Sequence, residues 1–241
     1  MKLTFVIRRF NPETDQQPYD QEYSVSAEPT DRILDVLMHI KQHADGTLGF
    51  RKSCAHGVCG SDAMRINGKD RLACKTLVQD VADADGARIT IEPLRYFPLQ
   101  RDLIVDQSDF FEKFKSGKPY LINDEPVSEK ERIQSPGERM AFDDPTNCIL
   151  CAACFSACPI PEANPEFLGP AAITQAARFN KDSRDRGFSA RLPVLNDPNG
   201  VWPCQNHFEC TRACPRGIKI TRLINETKRQ ITAHQEAGGK D

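Results

Sequence analysis

Ten cysteines in 241 residues fall into two groups: Cys54, Cys59 and Cys74, and a run from Cys148 to Cys214. Thiolates are soft ligands that suit iron–sulfur clusters and zinc alike. The stretch "CILCAACFSACP" sets Cys148, Cys151, Cys154 and Cys158 as C-x2-C-x2-C-x3-C, with Pro159 next. In that spacing the fourth cysteine serves a second cluster. Zinc would gather four ligands round one ion and leave the cysteine–proline step without a reason. The stretch "CQNHFECTRACP" repeats the pattern as Cys204, His207, Cys210 and Cys214, followed by Pro215. Exchanging the fourth cysteines gives Cys148, Cys151, Cys154 and Cys214 to a [4Fe–4S] cluster. Cys158, Cys204 and Cys210 remain as three thiolates, the set for a [3Fe–4S] cluster. Imidazole can bind iron, so His207 as a ligand would complete a four-iron cluster. Otherwise it lies beside a three-iron one or on the surface, and the soft-ligand preference favours that second reading.

The earlier group reads "CAHGVCGSDAM", with Cys54 and Cys59 in C-x4-C spacing and Asp62 where a third cysteine of a plant-type [2Fe–2S] loop would stand. With Cys74 the thiol count is three, and seven of the ten cysteines are already assigned. Asp62 is therefore the expected fourth ligand, a harder anion that can bind ferric iron. A Rieske centre would use His56 two residues after Cys54, but needs a second Cys/His pair, and Cys74 is followed by "KTL". Asp62 as a plain turn cap would leave three clustered thiols unexplained. Gly57 and Gly60 allow the backbone close to sulfur, with N–H groups aimed at it.

These ligands need scaffolds of two kinds. Leu3, Phe5 and Ile7 alternate with Thr4, Val6 and Arg8, and Ile89 and Ile91 alternate in "RITIEPL", the mark of half-buried strands. Thr30 or Asp31 is placed to cap a helix with Ile33, Val36, Leu37 and Ile40 on one face. From about residue 105 the pattern turns helical. Pro170 suits the first turn of "PAAITQAARFNKDSRDRG", which Gly187 would close, and Ile220, Leu223, Ile224, Thr227 and Ile231 repeat at helical spacing. The expected class is α+β: a small-sheet domain over residues 1–100, an all-α domain over 105–235, joined near the two prolines of "PLRYFPLQRD", and a tail at 236–241.

Composition narrows the function. A net charge of −2 gives no general attraction to nucleic acid or an anionic membrane. No stretch of eighteen apolar residues occurs, and "MKLTFVIRRFNPETD" has the marks of neither a signal nor a transit peptide. The chain is expected to stay where it is made, in a reducing compartment where clustered thiols bind metal rather than form disulfides. No Ser/His/Asp or paired-carboxylate site is evident.

The stretches "CAHGVCGSDAMRINGKDRLACK", "DLIVDQSDFF", "CILCAACFSACP", "NPEFLGPAAI" and "NGVWPC" together resemble the iron–sulfur subunit of succinate dehydrogenase and fumarate reductase, over nearly the whole chain. Some members of that family also carry aspartate at the position of Asp62. The resemblance implies an N-terminal β-grasp domain and a C-terminal helical-ferredoxin domain. It implies an electron-transfer subunit in which electrons pass from FAD on a flavoprotein through the [2Fe–2S], [4Fe–4S] and [3Fe–4S] clusters to quinone. The partners would be that flavoprotein and membrane anchor subunits, with haem b in some, holding the chain peripherally at the cytoplasmic face of a bacterial membrane. The quinone would lie near Pro159, Gln205 and His207. Gln205 stands where the family has a histidine. Glu162 and Ala163 replace the tryptophans that many ubiquinone-reducing members carry, and "NPEFLGPAAI" is similar to fumarate reductases, which points to menaquinone. Fumarate reduction, another flavin reductase built on the same module and a freestanding ferredoxin are the competing functions.

Overall fold

A computed structural model describes residues 1–126 and 129–238. It divides into two compact units that do not follow a single cut. Residues 1–107 and 149–157 form one, and 108–148 and 158–241 the other.

The first unit is built on a five-stranded sheet in the order β2-β1-β5-β3-β4. Strand β1 (Lys2–Arg9) buries Leu3, Phe5 and Ile7 on one face, pairs antiparallel with β2 (Tyr19–Ser26) and parallel with β5 (Arg88–Glu92). Helix α1 (Ile33–His43) buries Ile33, Leu34, Val36, Leu37 and Ile40 in the same core. Each such side chain contributes about 1.5–3 kcal/mol on leaving water. A mixed sheet with one packed helix is the expected β-grasp. The cap of α1 differs from expectation. Arg32 occupies it, its N–H donating to Asp35 at 3.2 Å, while the Asp31 carboxylate accepts from the Glu28 N–H.

Strands β3 (Ala63–Ile66) and β4 (Lys69–Leu72) form a hairpin closed by Asn67 and Gly68, at φ 48° and 72°. Asn-Gly with both φ positive is the two-residue turn that matches strand twist, and it fixes the register. Ala63 thus faces Leu72, which sets Asp62 beside the residues that follow β4. Strands β6 (Leu99–Arg101) and β7 (Ile104–Val105) occupy the stretch expected as a joint. Between them Asp102 accepts from Arg9 Nε at 3.0 Å, the Phe10 N–H at 2.9 Å and the Gly49 N–H at 2.6 Å. That buried carboxylate fixes the chain shortly before Cys54. Helix α5 (Ala153–Ala157) also belongs to this unit.

The second unit is helical. It comprises α2 (Ser108–Ser116), α3 (Pro136–Ala141), α4 (Asp143–Thr146), α6 (Ile160–Ala163), α7 (Pro170–Asn180), α8 (Phe188–Leu195), α9 (Glu209–Ala213) and α10 (Ile220–Glu236). The small residues Ala171, Ala172, Ala176 and Ala177 bury one face of α7, which packs against α2, α4 and α10. The five expected positions of α10 are all buried. Helix α7 ends at Asn180, short of Gly187. The Asp182 carboxylate takes the Arg184 N–H and that of Asp185 takes those of Gly187 and Ile122. Such bonds offer the backbone an alternative to the helix, and Gly187 instead precedes α8. Of the expected tail, Glu236 is still helical and 239–241 lie outside the described residues.

Candidate metal centres

Residues 54–62 turn tightly, with Ala55, Gly57 and Gly60 left-handed at φ 58°, 80° and 71°. The turn aims three backbone N–H groups at Cys54 Sγ: Cys59 at 3.3 Å, Val58 at 3.4 Å and His56 at 3.5 Å. Led by that of His56, they lower the Cys54 thiol to about 6. The ligand form is thus favoured at neutral pH.

The hairpin register brings Asp62 to Cys74, whose N–H donates to Asp62 Oδ2 at 2.6 Å. Burial, then the Asp62 carboxylate and the charge of Cys54, push the Cys74 thiol up to about 12. Asp62 is 2% exposed, and its other oxygen, Oδ1, is buried with no hydrogen-bond partner. A buried anionic oxygen left unsatisfied is costly. Asp62, Cys54, Cys59 and Cys74 form one group of donors whose thiolate and carboxylate forms cationic iron would stabilise. The donor set fits a [2Fe–2S] cluster.

In the second run, Leu150 and Ala152 are left-handed at φ 53° and 64°, and Cys151 and Cys154 are buried. Four hydrogen bonds at Ser156 hold α5. The Ser156 hydroxyl donates to the buried Asp70 carboxylate, and accepts from the Arg95 N–H at 2.8 Å. The Arg95 guanidinium reaches the Ser156 carbonyl at 3.0 and 3.2 Å. Burial raises Asp70 above the usual carboxylate range, against the Ser156 hydrogen bond and the charges of Arg65 and Arg95. Cys148 and Cys214 belong to the helical unit and are half-buried.

The third loop, 204–210, puts Asn206 and Phe208 at φ 61° and 65°. Cys158, Cys204 and Cys210 line one small cavity, together with Pro159, Gln205 and His207. Cys210 is buried, which raises its thiol, while Thr221 opposes the shift with its hydroxyl 3.5 Å from the sulfur. Thr221 is in turn held by Thr211, Oγ1 to Oγ1 at 3.0 Å. Lys228 Nζ donates to the Cys204 carbonyl at 2.8 Å. His207 is exposed, whereas Cys151, at the same place in its own run, is buried. A space lined by three sulfurs suits a cluster bound through three thiolates.

Among the described residues, no three His, Cys, Asp or Glu side chains converge on one ion-sized position. A single zinc needs four donors about 2.0–2.3 Å from one point. Ligands of a multi-iron cluster stand round a larger body.

Sequence reasoning did not reach Asp70, Ser156 and Arg95, or the Thr221–Thr211 pair. The Asn67–Gly68 turn was the available signal for the pairing of β3 with β4, and hence for Asp62 beside Cys74.

Residues 4–112 match the family described as 2Fe-2S iron-sulfur cluster binding domain, and 144–218 that described as 4Fe-4S dicluster domain. The chain is 43% identical to the succinate dehydrogenase iron-sulfur subunit of Coxiella burnetii, over 98% of this chain and 100% of that one. It is 42% identical to the fumarate reductase iron-sulfur subunit of Mycobacterium tuberculosis, over 97% and 94%. A chain in the structure "Mycobacterium smegmatis Sdh1 complex in the apo form" shares the fold with a TM-score of 0.88, covering 98% of this chain and 97% of that one at 24% identity.

Proposed function

From the premise that this chain belongs to the iron–sulfur subunit family of succinate dehydrogenase and fumarate reductase, an electron-transfer subunit, we propose that it carries electrons between the FAD of a flavoprotein and a quinone at a membrane anchor. When bound, its clusters take up and release single electrons. Cys54, Cys59, Cys74 and Asp62 would hold [2Fe–2S], with Oδ1 of Asp62 as the hard donor. Cys148, Cys151, Cys154 and Cys214 would hold [4Fe–4S], an assignment that rests on the doubled motif. Cys158, Cys204 and Cys210 would hold [3Fe–4S]. The domains follow as 1–100 for the first cluster and 105–235 for the other two.

The chain's own groups do three things in this reading. The N–H groups on Cys54 favour its thiolate. The buried pair Asp70–Ser156 and the part-buried pair Thr211–Thr221 fix the helices that carry Cys154 and Cys210. The half-buried Pro159 and the exposed Gln205 and His207 leave the third site open on one side, where a quinone would approach. Among the described residues no helix is long and apolar enough to cross a membrane. Attachment would therefore be peripheral, through anchor subunits at the cytoplasmic face of a bacterial membrane.

The observation that carries the proposal is the buried, unpartnered Oδ1 of Asp62 beside Cys74, in a chain alike end to end to two such subunits. Succinate oxidation is the leading direction. Fumarate reduction is the alternative, and Glu162 and Ala163 after the Cys158–Pro159 step point to menaquinone rather than ubiquinone as the quinone. The test is to isolate the chain with its flavoprotein and anchor and to measure succinate-dependent ubiquinone reduction against menaquinol-dependent fumarate reduction. Turnover in one confirms the wire and sets the direction; a cluster-loaded complex that couples neither would overturn the proposal.

A further inference from the structure

Within the sheet unit, the 54–62 loop meets the 149–157 segment at one residue. A Cβ added to Gly60 would lie 2.6 Å from Cys151 Cβ, 3.0 Å from its Cα and 3.3 Å from the Ile149 carbonyl oxygen. The obstacle is backbone and the root of a side chain, not the end of a flexible arm. Gly60 is buried, left-handed, and bonded directly to Cys59. The approach is secured from other sides as well. Cys151 and Ala153 share the core of Leu72, Ala73 and Cys74, and Ser156 is tied to Asp70 and Arg95.

We propose that Gly60 is a positioning residue that brings the [2Fe–2S] and [4Fe–4S] ligand loops into van der Waals contact, making Cys59–Gly60–Cys151 the route of the electron between the two clusters. This rests on the ligand assignment proposed above. The step moves one electron: one cluster is oxidised as the other is reduced, no bond is made or broken, and no proton moves. Electron tunnelling weakens steeply with distance and is poorer across a gap than along bonds. A bonded neighbour of one ligand touching the other ligand therefore shortens the weakest part of the path, and only glycine permits that approach.

Gly60→Ala tests this, with Gly86→Ala as its control, both in the cluster-loaded protein. Gly86 lies in the same unit and is also left-handed, at φ 84°, but its added Cβ would meet nothing within 4 Å. Iron content and the electron paramagnetic resonance of each cluster come first. Absence of either cluster from the unaltered protein sinks the ligand assignment and the relay together. With both present and reduced, the two paramagnets speed each other's relaxation. The expected result is a several-fold fall in the microwave power that half-saturates the [2Fe–2S] signal in Gly60→Ala and no change in Gly86→Ala. Wild-type relaxation in a fully loaded Gly60→Ala overturns the relay alone. If Gly60→Ala loads no [2Fe–2S] cluster, the unaltered protein decides. Its half-saturation power must rise several-fold once the [4Fe–4S] cluster is also reduced, and an unchanged power overturns the proposal.

Discussion

The cysteine runs 148–159 and 204–215 are two copies of one backbone with one ligand exchanged. In each, the second and fourth residues after the first cysteine are left-handed: Leu150 and Ala152, then Asn206 and Phe208. In each, a five-residue helix follows at once, α5 at Ala153 and α9 at Glu209. A left-handed conformation costs a non-glycine residue about 1–2 kcal/mol, and such strain collects at functional sites. The place between the two strained residues differs. Cys151 is buried there and His207 is exposed. The loop therefore keeps its shape whether or not a thiol occupies its centre, and the ligand count can change without the fold changing.

The largest expected effects come from breaking each copy at a shared position. Cys154→Ser and Cys210→Ser should each remove one cluster's signal and leave the other's, as measured by paramagnetic resonance on the loaded protein. Loss of both signals from either change would mean that the two runs fold as one unit.

Asp62 widens the comparison, being the other non-cysteine at a ligand place. It is buried with an open oxygen, where His207 is exposed. Asp62→Ala should abolish the [2Fe–2S] centre, while His207→Ala should leave the iron content unchanged. An intact centre in the first, or lost iron in the second, would reverse the assignment of ligand and bystander.

Making the copies alike is a gentler change. His207→Cys should allow a fourth iron into the third cluster and remove the oxidised-state signal expected of three irons. An unaltered three-iron spectrum would argue that position 207 is not aligned with Cys151.

The smallest effect concerns the ninth place of each run. Ser156 there donates to buried Asp70, whereas Arg212 is exposed and pairs with Glu209 on the surface. Ser156→Ala strands the carboxyl group and should cost about 1–3 kcal/mol in unfolding free energy. Arg212→Ala should stay within about 0.5 kcal/mol. Equal costs in denaturant unfolding would remove the distinction.

The sequence carried those parts of the molecule that local spacing encodes. The C-x2-C-x2-C-x3-C-P repeat, the alternation in β1 and β5 and the helical repeat of Ile220 to Ile231 needed no tertiary information. Other features lay beyond it for physical reasons. The end of α7 depends on the carboxylates of Asp182 and Asp185 capturing N–H groups that a helical pattern would have used. The cap of α1 passed to Arg32 because Asp31 turns back to Glu28. The contact of Gly60 with Cys151 joins residues 91 positions apart, and no local pattern reports it. Asp62 was legible as a candidate ligand by counting thiols. Its open oxygen beside Cys74 appears only once the Asn67–Gly68 turn has set the register.

The most direct test of three clusters with a three-iron centre at the second run is paramagnetic resonance on the oxidised, cluster-loaded protein, with iron counted in the same sample. A [3Fe–4S] cluster is paramagnetic when oxidised, whereas ordinary [2Fe–2S] and [4Fe–4S] clusters are silent. The expected result is an oxidised-state signal with about nine irons per chain, two, four and three in the three clusters. Silence with about ten irons would contradict it and make His207 a ligand.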